Sequence, residues 1–268
     1  GRERTYKLYV PSSLDASDRP PLVLALHGGT GWGNQFRLAS RFDGIAEANQ
    51  TLVVYPDGTE LDVPITPNGR VWNGGNCCAS AVRNDVDDVG FLVQLIDELV
   101  VNRNADPERV FVFGHSNGGI MSYRLGCERP DKVRAIGLQA GWLGVDSCTP
   151  AEPLSLMHIH GTADENAPID GGRGPKSISG VESRAALESV GMVAAGDGCG
   201  EPPTETTAGE VTRLEWPECP TGTEVVLVKV DGAPHPWIGD PRGSEDRPPT
   251  SFDSSAELWS FFAGLPPV

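Results

Sequence analysis

The sequence predicts an α/β fold: a mostly parallel central sheet with helices on both faces. Three observations carry that reading. Leu22-Val23-Leu24-Ala25-Leu26, Val110-Phe111-Val112-Phe113 and Val225-Val226-Leu227-Val228 are continuous apolar runs of strand length, as expected of parallel strands buried on both faces. Amphipathic helical stretches alternate with such runs along the chain. The strand at 110–113 leads into Gly114-His115-Ser116-Asn117-Gly118 and then a helical stretch, a sharp strand-to-helix turn.

The elements follow in order. Thr5 to Val10 alternates like a half-exposed strand, and 11–20 is a polar turn region. After the strand at 22–26 comes His27-Gly28-Gly29-Thr30-Gly31, then one helix over Phe36 to Ala48. Leu52 to Tyr55 is a strand stopped by Pro56-Asp57-Gly58, and 59–85 reads as a long Gly-, Asn- and Pro-rich loop pinned by Cys77 and Cys78. Asp88 is placed to cap a helix whose apolar face is Phe91-Leu92, Leu95-Ile96 and Leu99-Val100. Asp87-Asp88 is read as a helix start rather than as catalytic. Further strands are expected at 133–138, 154–159, 212–216 and 224–230, a short helix at 181–190, and a closing helix from Ser254 to Phe262 capped by Asp253 or Ser254. The chain is read as one domain over 1–268, with 191–222 as a disulfide-closed insertion over the sheet edge.

The chain of 268 residues carries 37 Asp+Glu against 21 Lys+Arg, a net charge of −16. No basic cluster stands out, which argues against nucleic acid and anionic membranes as partners. No apolar run approaches the length of a membrane span. The first residues read straight into a strand, with no leader peptide visible. The cysteines are Cys77, Cys78, Cys127, Cys148, Cys199 and Cys219. An even count without C-x-x-C or Cys/His zinc spacing favours three disulfides over metal. Disulfides imply an oxidising compartment, hence a secreted, periplasmic or cell-surface protein. Cys199 and Cys219 are expected to close a Pro/Thr/Gly-rich excursion. Cys77 and Cys78 are expected to reach Cys127 and Cys148, in an order left open.

Gly-x-Ser-x-Gly makes Ser116 a candidate nucleophile, since the helix start beside it favours developing negative charge. An acyl-transfer serine needs a base and a carboxylate that orients the base. Asp164 follows the strand that ends in His160, and His235 follows the strand at 224–230 and is the only histidine after position 160. The order Ser116, Asp164, His235 is that of α/β-hydrolases. Any one of these residues alone reads as a turn, cap or solvated loop residue; all three at strand ends, in this order, point to a triad. For the oxyanion, the backbone N–H of Asn117 and of Gly29 are the candidate donors, with Thr30 as the alternative. Trp72 and Trp237 are candidates to line the substrate pocket, against ordinary packing. Gly29-Thr30-Gly31-Trp32-Gly33 is not G-x-G-x-x-G, so a dinucleotide is discounted. His158, His160 and Asp164 mimic a metal cluster but are read as strand and loop residues; neither metal nor cofactor is expected.

Together Leu26-His27-Gly28-Gly29, Val54-Tyr55-Pro56-Asp57-Gly58, Trp72-Asn73 with Cys77-Cys78, Asp87 to Phe91, Gly114 to Gly119, His160 to Asp164, and His235 with Trp237 resemble the extracellular poly(3-hydroxybutyrate) depolymerase/feruloyl esterase-like family of α/β-hydrolases. The resemblance implies an esterase acting on hydroxyalkanoate, hydroxycinnamoyl or acetyl esters; with the triad read above, the chain is expected to work without cofactor and as a monomer. The last motif departs from the family's Gly-Gly-His-x-Trp-Pro-Gly: here it is Ala233-Pro234-His235-Pro236-Trp237-Ile238-Gly239, whose prolines stiffen the loop. Many polymer-active members carry Cys where this chain has Gly29, and a polymer-binding domain that this sequence does not show. The expected substrate is therefore a small ester or soluble oligoester. The rival activities are acyl transfer and peptide cleavage on the same triad, and the rival class is a non-catalytic binding protein on a hydrolase fold.

Overall fold

A computed structural model describes residues 2–266 apart from 16, 63–65, 67, 221 and 243–250. In chain order the elements are β1 (Tyr6–Tyr9), β2 (Leu22–Leu26), α1 (Gly33–Ser40), α2 (Phe42–Ala48), β3 (Leu52–Pro56), β4 (Thr59–Glu60), β5 (Arg70–Val71), α3 (Ala79–Arg83), α4 (Asp88–Arg103), β6 (Val110–His115), α5 (Asn117–Glu128), β7 (Ala135–Gln139), β8 (Ser155–Gly161), α6 (Ala186–Asp197), β9 (Thr204–Ala208), β10 (Val211–Glu215), β11 (Val225–Val230) and α7 (Ser254–Gly264). The main sheet runs β1-β3-β2-β6-β7-β8-β11-β10-β9. Its centre, from β3 to β11, is parallel, while β1, β10 and β9 pair antiparallel at the edges.

The period-2 geometry of a strand divides the core in two. Leu22, Leu24 and Leu26 face α4, α5 and α6 through Leu92, Ile96, Met121 and Val190. Val23 and Ala25 face α1, α2 and α7 through Phe36, Phe42, Leu258 and Phe262. Both sides of β2 are thus apolar, which is why its sequence shows no alternation.

The structure corrects several boundaries. The helix expected over 36–48 breaks at Arg41, which is left-handed (φ 52°) and separates α1 from α2; its guanidinium reaches Gly239 O and Asp253. Asp87, not Asp88, caps α4, accepting from the Gly90 N–H. Asp88 turns inward to a buried ion pair with Arg4 at 2.6 Å. The helix expected at 181–190 lies at 186–197, passing through Gly191 against the Trp216 ring. The 191–222 segment contains the end of α6 and the β9–β10 hairpin, which extends the sheet edge and is joined at its base by Cys199–Cys219. Asp253 caps α7.

The disulfides are Cys77–Cys78, Cys127–Cys148 and Cys199–Cys219. The expected links from Cys77 and Cys78 to Cys127 and Cys148 are therefore wrong. Cys77 and Cys78 pack on Ile120 in the first turns of α5. Cys127 is seven residues further along that helix, about 10 Å at the helical rise, whereas bridged Cα atoms lie within about 7 Å.

Candidate active site

Ser116 stands between β6 and α5 with φ 52° and ψ −119°, a strained conformation for a residue with a side chain. Its N–H donates to Gln139 O at 2.9 Å and its carbonyl accepts from Ile120 N–H at 3.0 Å. The strain depends on close backbone approach at two glycines. A Cβ on Gly114 would collide with the Gly118 backbone, and one on Gly118 with the carbonyls of Leu26 and His27.

The sheet order puts β8 and β11 beside each other, separated from β6 by β7 alone, so the loops after them converge on Ser116. His235 Nε2 lies 3.0 Å from Ser116 Oγ, and His235 Nδ1 lies 2.7 Å from Asp164 Oδ2. The other carboxylate oxygen accepts from the N–H groups of Asn166 and Ala167, both at 2.9 Å. Burial alone would raise the Asp164 carboxyl. His160, with Nε2 3.5 Å away, and the hydrogen bond from His235 outweigh it and hold the group well below the usual carboxylate range. The three sequence-predicted residues are thus brought into one hydrogen-bonded line, a geometry in which a hydroxyl can pass its proton to an imidazole held by a carboxylate.

Gly28 O accepts from Gly31 N–H at 3.0 Å, closing a turn in which Thr30 has φ 66°. Gly29 occupies the second position of that turn, and a Cβ there would lie 3.7 Å from the Asn117 Cβ. The two predicted donors are neighbours, and among the described residues neither N–H has an acceptor. Thr30 is excluded as the alternative, because its N–H donates to Arg70 O at 2.9 Å. His27 holds the turn: its Nδ1 donates to Gly28 O at 2.8 Å and its Nε2 accepts from Gly58 N–H at 3.0 Å. Burial pushes its pKa down to about 4, so both bonds belong to the neutral ring. The Asn117 side chain pairs in both directions with the Trp72 backbone, at 2.8 and 3.0 Å.

Neither tryptophan lines a pocket. Trp72 is fully buried with its indole N–H on His27 O at 3.0 Å. Trp237 is 3% exposed, packed on Phe36 and Phe113, and donates to Ser255 Oγ. Both are core residues that support the site from below. The apolar cluster that does flank Ser116 and Asp164 consists of the Cys77–Cys78 disulfide, Ile120, Trp142 and Ala167.

Three supports escaped the sequence. Gln139 and His115 hold the His235 loop. A buried chain runs Tyr123 O–H to His158 Nδ1, His158 Nε2–H to His160 Nδ1, and His160 Nε2–H to Ala167 O, at 2.9, 2.9 and 2.8 Å. Burial, with the neighbouring His160, keeps His158 neutral, so its Nδ1 is free to accept the Tyr123 O–H while its Nε2–H donates to His160. The available signal was a buried polar residue on a core strand: Gln139 closing β7, and His158 and His160 alternating with apolar residues on β8.

The family described as esterase PHB depolymerase matches residues 4–200. The chain belongs to that family. The matched stretch includes Ser116 and Asp164, while His235 lies beyond it. Among curated relatives, feruloyl esterase B of Piromyces equi is 28% identical over 232 residues, covering 84% of this chain and 41% of its own length. Putative esterase NocK of Nocardia uniformis is 28% identical, covering 89% and 72%, and probable feruloyl esterase C of Aspergillus terreus is 26% identical, covering 97% and 84%. The chain thus spans less than half of the first of these. Among solved structures, an acetyl xylan esterase from Aspergillus awamori aligns with TM-score 0.65 and 16% identity over 88% of this chain and 90% of that one. Esterase PE8 aligns with TM-score 0.63 and 14% identity over 99% and 100%. These structural likenesses establish the α/β-hydrolase-type fold. Among the described residues no helix is long and apolar enough to cross a membrane.

Proposed function

We propose that this protein is a secreted serine esterase that hydrolyses carboxylic esters of small or soluble oligomeric substrates. The observation that carries the reading is the unbroken line from Asp164 through His235 to Ser116, with links of 2.7 and 3.0 Å. His235 takes the Ser116 proton as the oxygen attacks the ester carbonyl. Asp164 orients His235 and stabilises its cation. The N–H groups of Gly29 and Asn117 receive the oxyanion; one such donor contributes about 3 kcal/mol to a transition state. The ester C–O bond then breaks, the departing alcohol takes that proton from His235 and leaves an acyl-Ser116, and His235, neutral again, activates a water that releases the acid and restores Ser116. Feruloyl or acetyl esters are the first choice of substrate, supported by the names of the relatives, and hydroxyalkanoate oligomers the second, supported by the family. Three disulfides support an extracellular setting. The reading treats 1–268 as one catalytic unit, active as a monomer.

A rate panel tests it: p-nitrophenyl acetate, methyl ferulate, acetylated xylan oligomers and 3-hydroxybutyrate oligomers, with Ser116→Ala beside wild type. The expected result is turnover of one ester class that the folded variant loses completely. Unchanged turnover in Ser116→Ala would remove the mechanism, and inertness of the wild type toward every ester would remove the activity.

A further inference from the structure

Between Ala233 and Trp237 the loop reads Pro234-His235-Pro236. Proline has no N–H, so across these three residues only His235 carries a backbone donor. The loop that presents the base is therefore poorly equipped to be pinned through its own N–H groups, and it is held through its carbonyls instead. One side chain does most of this. The Gln139 Nε2 group donates to His235 O at 3.3 Å and to Pro236 O at 3.0 Å. Its Oε1 accepts from Ile238 N–H at 2.9 Å and from Ser254 O–H at 2.8 Å. Both N–H groups and both lone pairs of the carboxamide are used, in a residue that is fully buried. His115 adds one further donor to His235 O, from Nε2 at 2.9 Å.

The same residue also reaches the nucleophile, because its backbone carbonyl accepts the Ser116 N–H at 2.9 Å. We propose that Gln139 is a positioning residue for ester hydrolysis, which sets the distance between Ser116 and His235 by holding the backbone of each. The proposal rests on the esterase reading above. Serine and base stand 119 positions apart in the chain, and Gln139 bonds to the backbone of both. Displacing the base by about 1 Å costs on the order of 100-fold in rate. A carboxamide is the group the site requires: Glu keeps the acceptor but loses the donors, Leu loses both, and Asn is one methylene short.

The test uses the full chain as Gln139→Glu and Gln139→Leu beside wild type and Ser116→Ala. Gln139→Glu retains the bonds to Ile238 N–H and Ser254 O–H and sets an oxygen against two carbonyl oxygens. Steady-state kinetics on p-nitrophenyl acetate should show kcat lower by about 10- to 100-fold in both variants, with KM within roughly twofold. Proton NMR without any ester supplies a second readout, the low-field proton of the His235–Asp164 hydrogen bond. It should be present in wild type and broadened or lost in the variants, while thermal melts show them folded. If Gln139→Leu does not fold, Gln139→Glu carries the test. A folded variant with kcat within twofold of wild type, or a loss confined to KM, overturns the proposal. If wild type hydrolyses no ester, the esterase reading falls, and an unchanged low-field proton in the variants would then overturn the role of Gln139 separately.

Discussion

Asp164→Asn should do more than remove a charge, because the surrounding donors dictate which way the new amide points. On one side the carboxylate accepts the N–H groups of Asn166 and Ala167. On the other it accepts from His235 Nδ1 at 2.7 Å, with His160 Nε2 3.5 Å away. An asparagine has one oxygen to offer. Leaving it under two backbone N–H groups satisfies two buried donors; turning it to His235 strands both, at about 1–3 kcal/mol each. The amide nitrogen therefore faces His235 and donates to Nδ1. That forces the imidazole proton onto Nε2, the atom 3.0 Å from Ser116 Oγ, where it can no longer accept the serine proton. The expected fall in kcat is about 10³- to 10⁴-fold, or roughly 4–5.5 kcal/mol of activation free energy. KM should change little, since nothing that contacts the ester is altered. The assay is kcat and KM on p-nitrophenyl acetate, combined with nitrogen-15 NMR to find which ring nitrogen of His235 carries the proton. A variant that loses less than tenfold in kcat, or in which Nδ1 stays protonated, would refute this reasoning.

Two further outcomes concern the fold around the site. His27 is held neutral with a pKa of about 4 against 6.5 for the free side chain. The unfolded chain thus binds one more proton than the fold between these values, and stability is present above pH 6.5 and lost as pH falls toward 4. The loss is about 3 kcal/mol at most, and His27→Asn should flatten the fall of Tm over that interval relative to wild type; parallel curves would contradict it. Cys127–Cys148 and Cys199–Cys219 close loops of 21 and 20 residues, so loop-closure entropy assigns about 3 kcal/mol to each. Replacing either pair with Ala should lower Tm by a similar amount, and non-reducing peptide mapping that joined Cys77 to Cys127 would overturn the pairing.

What the sequence revealed and what it withheld divide along physical lines. β2, β6 and β11 are legible because a strand buried on both faces must be apolar throughout. Ser116, Asp164 and His235 are legible because each stands at a strand end next to turn residues. β9 is not, since Thr204–Ala208 is exposed along its whole length and offers no apolar period. Arg41 reads as one more helical residue until its distant partners, Gly239 and Asp253, are in place. Trp72 and Trp237 neighbour the motifs in sequence, but proximity along the chain does not say which side of the backbone a ring occupies. Gln139 belongs to the same class. Its role exists only once β7 meets a loop nearly a hundred positions later, and a single polar letter ending an apolar word does not announce that.

The Arg4–Asp88 pair gives the amino-terminal segment an unexpected reach. Arg4 also lies over the Phe91 ring at 4.1 Å, and Asp88 accepts the Asn73 N–H at 2.7 Å. Asn73 follows Trp72, whose backbone is clasped by Asn117 beside Ser116. Removing Arg4 would abandon a carboxylate with no solvent around it, and the disturbance would pass through Asn73 and Trp72 to Asn117. Any trimmed form of the chain should therefore keep Arg4, which stands at the outer end of a path through Asp88, Asn73 and Trp72 to Asn117.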